Sequence, residues 1–113
     1  MTIQYKNQGI NLDSTATASV LTCPTDATIL IKQIQINNGS GGAVNLNVQV
    51  TDTSAGATFR ILNESITGAA TRDIINYTLV LEAGDILKMT AGTADEIQGS
   101  ISYALLDRSQ QNG

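Results

Sequence analysis

The sequence predicts an all-β fold: a single antiparallel β-sandwich, jelly-roll-like, of about seven or eight strands. Three observations carry this. Apolar and polar residues alternate over residues 43–51 and again over 97–105, the period of a strand with one buried face. Turn-forming clusters recur at about the eight-to-twelve-residue spacing of sandwiches and barrels. No stretch carries the apolar stripe of a helix.

Taken in order, Thr2 to Asn7 can add a short edge strand, and Ala16 to Cys23 forms the next. Ala27 to Asn37 is Ile-rich, with Ile34 and Ile36 in phase and Ile29 and Ile31 out of phase. One extra residue near Lys32-Gln33 would swap the faces, so a β-bulge is expected there. In Ala43 to Thr51, Val44, Leu46, Val48 and Val50 share one face. Ala57 to Leu62, Arg72 to Leu81 and Asp85 to Ala91 fill the intervals. The last strand, Ile97 to Leu105, points Ile97, Ile101, Tyr103 and Leu105 to the core.

The separators are Cys23-Pro24-Thr25-Asp26, Asn38-Gly39-Ser40-Gly41-Gly42, Asp52-Thr53-Ser54-Ala55-Gly56 and Glu82-Ala83-Gly84-Asp85. Asn38-Gly39 reads as a hairpin, because both residues tolerate positive φ. A phosphate loop would need a helix after its glycines, and here a strand follows. With 113 residues the expectation is one domain. Its polar ends, about 1–14 and about 107–113, read as arms that frayed or docked against a neighbour; the polar run near the start extends from Asn7 to Thr17.

Composition excludes several functions. The 42% of hydrophobic residues is too high for a disordered chain. Six basic against ten acidic residues, a net charge of −4, argue against nucleic-acid binding, which needs clustered Lys and Arg. No apolar run approaches the length of about 20 residues that spans a bilayer. The start, Met1 to Lys6, does not have the basic-then-apolar pattern of a signal peptide. Synthesis in a cytosol is expected, and no membrane partner.

There is no His, the commonest general base and transition-metal ligand. The one Cys, Cys23, excludes an internal disulfide and a Cys-rich zinc site. Without a basic neighbour in the sequence, Cys23 reads as a packing residue. Paired carboxylates remain: Asp52, Asp73, Asp85, Asp95 and Glu96 all sit in or beside turns. A glycosidase would need two of them facing across a cleft, and turn-forming Asp is the simpler reading. Asp95-Glu96 could assist a surface calcium, but no ligand spacing resembles a dedicated loop. No catalytic residue, cofactor or metal is assigned. Asn38-Gly39-Ser40, Asn63-Glu64-Ser65 and Asn76-Tyr77-Thr78 match the glycosylation sequon, which has meaning only in a secreted eukaryotic chain.

One liability stands out. Many strands and only 14% charged residues leave sheet edges poorly guarded against pairing. Lys6, Lys32 and Lys88 are the only lysines. Assembly with other subunits would remove that liability.

The run Ser19-Val20-Leu21-Thr22-Cys23-Pro24-Thr25-Asp26-Ala27-Thr28 leads into an Ile-rich strand ending at Asn37. A Val-rich strand ending in Thr51-Asp52, then Leu79-Val80-Leu81-Glu82-Ala83-Gly84-Asp85-Ile86-Leu87-Lys88 and a final alternating strand, follow. Over roughly residues 14–106 this resembles small virion structural proteins of tailed bacteriophages, notably phages of cyanobacteria and other aquatic bacteria. The resemblance implies a β-sandwich attached to a larger particle, and no catalytic residues.

Two roles follow from it. One is a capsid decoration, or cement, protein, often a trimer, clamping the major capsid protein from outside the head. The other is a neck, tail or baseplate component in fewer copies. The Thr/Asn/Gln-rich surface favours the first slightly. A carbohydrate-binding module is the rival of another class, and it would need Tyr5, Tyr77 or Phe59 exposed; Tyr103 falls on the core face. A small enzyme is the third reading, with no residue set behind it.

Overall fold

The computed structural model describes residues 2–107. They form nine strands: β1 (Thr2–Leu12), β2 (Ala18–Thr22), β3 (Ala27–Asn38), β4 (Val44–Asp52), β5 (Ala57–Ile66), β6 (Thr71–Asp73), β7 (Leu79–Leu81), β8 (Ile86–Ala91) and β9 (Ile97–Asp107). Two antiparallel sheets face each other. The first runs β1-β9-β3, with β6 and β7 both on the far edge of β3; the second runs β2-β8-β4-β5.

β6 pairs with Gln35 to Asn37 and β7 with Ile29 to Ile31, so they are two halves of one interrupted strand. Counted as one, they leave eight positions, ordered 1-8-3-6 and 2-7-4-5. That is the jelly-roll arrangement, as the sequence predicts. The interruption falls opposite a register shift between Ile31 and Gln33 in the pairing of β3 with β9. This is the expected bulge at Lys32, and bulges bend a strand and disrupt its ladder. The extra residue lets Ile29, Ile31, Ile34 and Ile36 all face inward, and all four are buried.

Around these isoleucines pack Val44, Leu46 and Val48 of β4, Leu87 and Met89 of β8, and Ile97, Ile101 and Tyr103 of β9. Gly99 of β9 pairs with Ile36 of the neighbouring β3, and a Cβ there would lie 2.1 Å from the Gln35 carbonyl oxygen. Cys23 is buried, and its thiol donates to the Ala27 carbonyl. Its backbone exchanges hydrogen bonds with the next corner of the fold, Cys23 N–H to Asp85 O and Gly84 N–H to Cys23 O.

Two expectations need correction. Asn38-Gly39 is not a hairpin: β3 belongs to the first sheet and β4 to the second, so the chain crosses between layers here. Neither residue has a positive φ. Instead the buried Asn38 amide donates to the Gly42 and Ile66 carbonyls, and its Oδ1 accepts from Ser40 N–H. The side chain thus supplies the crossing with the partners that a hairpin ladder would have given it.

At the start of the chain, where an arm over about 1–14 and a short edge strand over Thr2 to Asn7 are both expected, the edge strand is present and longer, Thr2–Leu12, paired with β9 from Thr2↔Asp107 to Leu12↔Ile97. Its full length escapes a periodicity search because residues 3–9 are exposed, and only Ile10 and Leu12 enter the core. Backbone pairing with β9 runs the whole length of that outer half. Of the C-terminal arm, only Asp107 belongs to the described residues.

Candidate interaction surface

In the first sheet, inward and outward positions alternate along paired strands. Register places Tyr5 opposite Ala104, Ala104 opposite Leu30, and Leu30 opposite Val80. Ile29 and Leu81 are buried beside them in the core, so this row faces outward. An apolar row therefore crosses β1, β9, β3 and β7 on the outside of the sandwich. The next row adds Ile3 and Leu106. Tyr5 is 83% exposed, Ile3 56% and Val80 48%. Beyond the row, Asn7 and Ser102, then Gln33, Gln35 and Asn37, make the same face polar.

The outer face of the second sheet is polar throughout its middle. Asn45 Nδ2 donates to Asn63 Oδ1, Thr51 and Thr58 share a hydroxyl hydrogen bond, and so do Thr17 and Thr90. Lys88 and Arg60 lie on either side of Gln49 in one row, which gives this face a positive strip.

The sequence singled out the N-terminal segment as a contact surface without naming the row. The signal was present as apolar residues at the wrong phase: Leu30 between Ile29 and Ile31, Val80 between Leu79 and Leu81, and Leu106 after Leu105. A strand apolar at every position is covered on both faces.

Of the candidate carboxylates, Asp52 and Asp85 come together, with Glu82 as a third; their oxygens lie within 4.8 Å of one another. Both oxygens of the buried Asp85 are already engaged, Oδ1 by Thr53 N–H at 3.0 Å and Oδ2 by Glu82 N–H at 2.9 Å. Asp52 Oδ1 accepts from Ser54 Oγ and Ala55 N–H. These contacts hold the carboxyl of Asp52 below its ordinary value, with the Ser54 hydroxyl the largest cause. The cluster ties the β4–β5 turn to the β7–β8 corner.

The other carboxylates stand apart from it. Asp73 caps its own turn through Ile75 N–H. Asp95 adopts a φ of 66° and donates its N–H to the Leu12 carbonyl. The Glu96 carbonyl accepts from Gly39 N–H. Neither Asp95 nor Glu96 shares a carboxylate cluster among the described residues.

Tyr5, Tyr77 and Phe59 are exposed, as a carbohydrate platform would require, and Tyr103 is buried. They do not assemble into one platform. Tyr5 is on β1 at one edge of the first sheet, Tyr77 follows β6 at the opposite edge, and Phe59 is on β5 of the second sheet. An open groove of about 300 Å³ lies beside Tyr5, lined also by Lys6, Asn7, Lys32, Ser102 and Tyr103. Burial pushes the Tyr103 phenol up from its ordinary pKa, so it stays neutral in that groove.

The fold defines a jelly-roll β-sandwich protein. No protein-family model matches the chain, and no curated protein matches it. Solved structures resemble it in fold. One is from Bacillus endospore appendages, a family of disulfide-linked pili: TM-score 0.54 and 11% identity, over 95% of this chain and 88% of that one. Another is infectious bursal disease virus, Gx strain, with TM-score 0.50 and 10% identity, over 95% of this chain and 34% of that one. A pentameric capsid protein from metagenomic phage sequences gives TM-score 0.45 and 16% identity, over 93% of this chain and 64% of that one.

Proposed function

We propose that this chain is a non-enzymatic structural component of a virus particle: a decoration, or cement, protein on the outside of a tailed-phage head. It acts there as a homo-oligomer, a trimer, against the major capsid protein, after synthesis in the host cytoplasm. The observation that carries this reading is the apolar row Tyr5–Ala104–Leu30–Val80 on the outside of a jelly roll. Jelly rolls frame viral capsid and lectin domains alike. The scattered aromatics count against a sugar platform, and the outward apolar row counts for packing against protein.

No chemical step is required. A subunit that binds only the assembled shell stabilises that state by mass action, as any selective ligand does. Linked copies engage together, so weak polar contacts from the N-terminal strand and the second sheet add up through effective concentration. A neck, tail or baseplate position is the alternative within the same class.

Copy number in purified particles, measured by quantitative mass spectrometry against the major shell protein, tests the proposal. Hundreds of copies support decoration. A dozen copies move the chain to the neck or tail. Its absence from particles overturns the virion reading.

A further inference from the structure

We propose that a second copy of this chain packs on the outer face of the β1-β9-β3-β7 sheet, with the row Tyr5–Ala104–Leu30–Val80 at the centre of the contact. The proposal rests on the homo-oligomeric part of the function above and names the surface that serves it.

The row leaves Tyr5 and Ile3 exposed on β1 and Val80 exposed on β7, joined across the face by half-buried Leu30 and Leu106 and by Ala104, whose small side chain is covered by its neighbours. Soluble monomers rarely leave such residues contiguous, because apolar surface gains from leaving water. The polar border of Asn7, Ser102, Gln33 and Gln35 gives the face the centre and rim of a protein interface. The residues after Asp107 are Arg108-Ser109-Gln110-Gln111-Asn112-Gly113, with no apolar side chain among them.

Charge points to a sibling as the occupant. The chain carries a net −4, so copies repel each other over most approaches. Among the described residues, the outward paired registers of this face carry one charged side chain, Asp73, and the exposed bulge residue Lys32 lies beside them, so like-charge repulsion is weak there. The second sheet's face, with Lys88 and Arg60 in one row, would set cation against cation in a like pairing. Size agrees as well. Strands β1, β9 and β3, 11, 11 and 12 residues long and about 4.8 Å apart, with the three-residue β6 and β7 along the far edge, cover about 600 Å². That is close to the roughly 800 Å² per partner of a standard interface.

The test is the mass of the purified full chain by sedimentation and light scattering across a concentration series, for wild type, Tyr5→Lys and Val80→Lys. Both positions are exposed in the single chain, and circular dichroism checks that the variants fold. The expected result is a wild-type mass that is a multiple of the single chain, with association weakened about tenfold or more in each variant. Two copies would place the faces together across a twofold axis, and three would place them around a threefold axis. A wild type that stays a single chain throughout overturns the proposal, and so do folded variants that associate like wild type.

Ile3→Cys gives an independent reading, since Cys23 is buried. Its reaction with a maleimide slows at concentrations where the chain associates; a rate independent of concentration overturns the proposal. Self-association through this face by a chain missing from particles would sink the virion reading alone. Presence in particles of a chain that does not self-associate would sink this proposal alone.

Discussion

The Arg72 guanidinium donates to the Glu64 carboxylate and so joins β6 of the first sheet to β5 of the second. Arg72 sits opposite the core residue Ile36, and Glu64 opposite the core residue Leu46. Both therefore occupy inward registers on edge strands, where the sandwich opens to water and a long side chain can reach across. Their side chains are 39% and 38% exposed, so screening discounts the pair to less than about 1 kcal/mol. A double-mutant cycle of Arg72→Ala and Glu64→Ala in urea checks this, and the coupling should shrink further in 1 M salt. A coupling of several kcal/mol would show that the pair is a main tie between the sheets.

Gly99→Ala should be far more damaging than a surface methyl group suggests. The added Cβ would meet the Gln35 carbonyl at 2.1 Å and Ile36 Cα at 3.0 Å, both backbone atoms of the strand in the middle of the sheet. Relief requires β9 and β3 to separate, at a cost of about 1–3 kcal/mol or more. The urea midpoint reports it, and an unshifted midpoint would refute so close an approach of the strands.

Asn38→Ala should cost about 1–3 kcal/mol, the penalty for leaving buried partners unsatisfied. The lost groups are the amide donor to Ile66 O and Gly42 O and the acceptor for Ser40 N–H. Asn38→Asp should be worse, because it turns a donor toward carbonyls into a second acceptor. Equal midpoints for all three proteins would mean that water replaces the amide.

The carboxyl of Asp52 gives a pH prediction. Its folded pKa lies below 3.8, first through the Ser54 hydroxyl and then through Ala55 N–H. A depressed carboxylate contributes stability that is present above the ordinary value and lost as pH falls through the folded one. Ser54→Ala should move the Asp52 midpoint up toward 3.8 in a carbon-detected NMR titration. No movement would shift the credit to the backbone donor.

Much of the sandwich was legible, because burial on one face writes itself into the sequence. Val44, Leu46, Val48, Ile97, Ile101 and Tyr103 are all buried as the alternation requires. The slipped phase of the isoleucines located the bulge at Lys32. What stayed hidden is pairing without burial. β5 runs on to Ile66 through Asn63, Glu64 and Ser65, and most of β1 is exposed on both faces. The expected strand from Arg72 to Leu81 divides at 74–78, where Ile74 and Ile75 pack on the core outside any strand.

Turn chemistry misled in one consistent way. It marks where a strand stops, and it does not reveal which sheet the next strand joins. Among the described residues only the β4–β5 connection is a hairpin within one sheet, and there Gly56 takes a φ of 64°. The Asn38-Gly39 and Gly84-Asp85 connections pass between layers. The outward apolar row was hidden for a related reason, since Leu30 and Val80 count toward the core in composition and lie outside it in register.

The strand order also governs when the fold can form. β9 lies between β1 and β3 in the first sheet and pairs with both along its length, yet it is synthesised after every other described strand. Thr2 meets Asp107, and Leu12 meets Ile97, so closing this sheet joins residues from opposite ends of the chain. Such high contact order slows folding to about the millisecond-to-second range. Until β9 has left the ribosome, β1 and β3 lack the strand that joins them in the folded sheet. Chains truncated before Ile97 expose the unpaired edges of β1 and β3, the kind of edge that invites aggregation, so the sheet depends on translation continuing through β9.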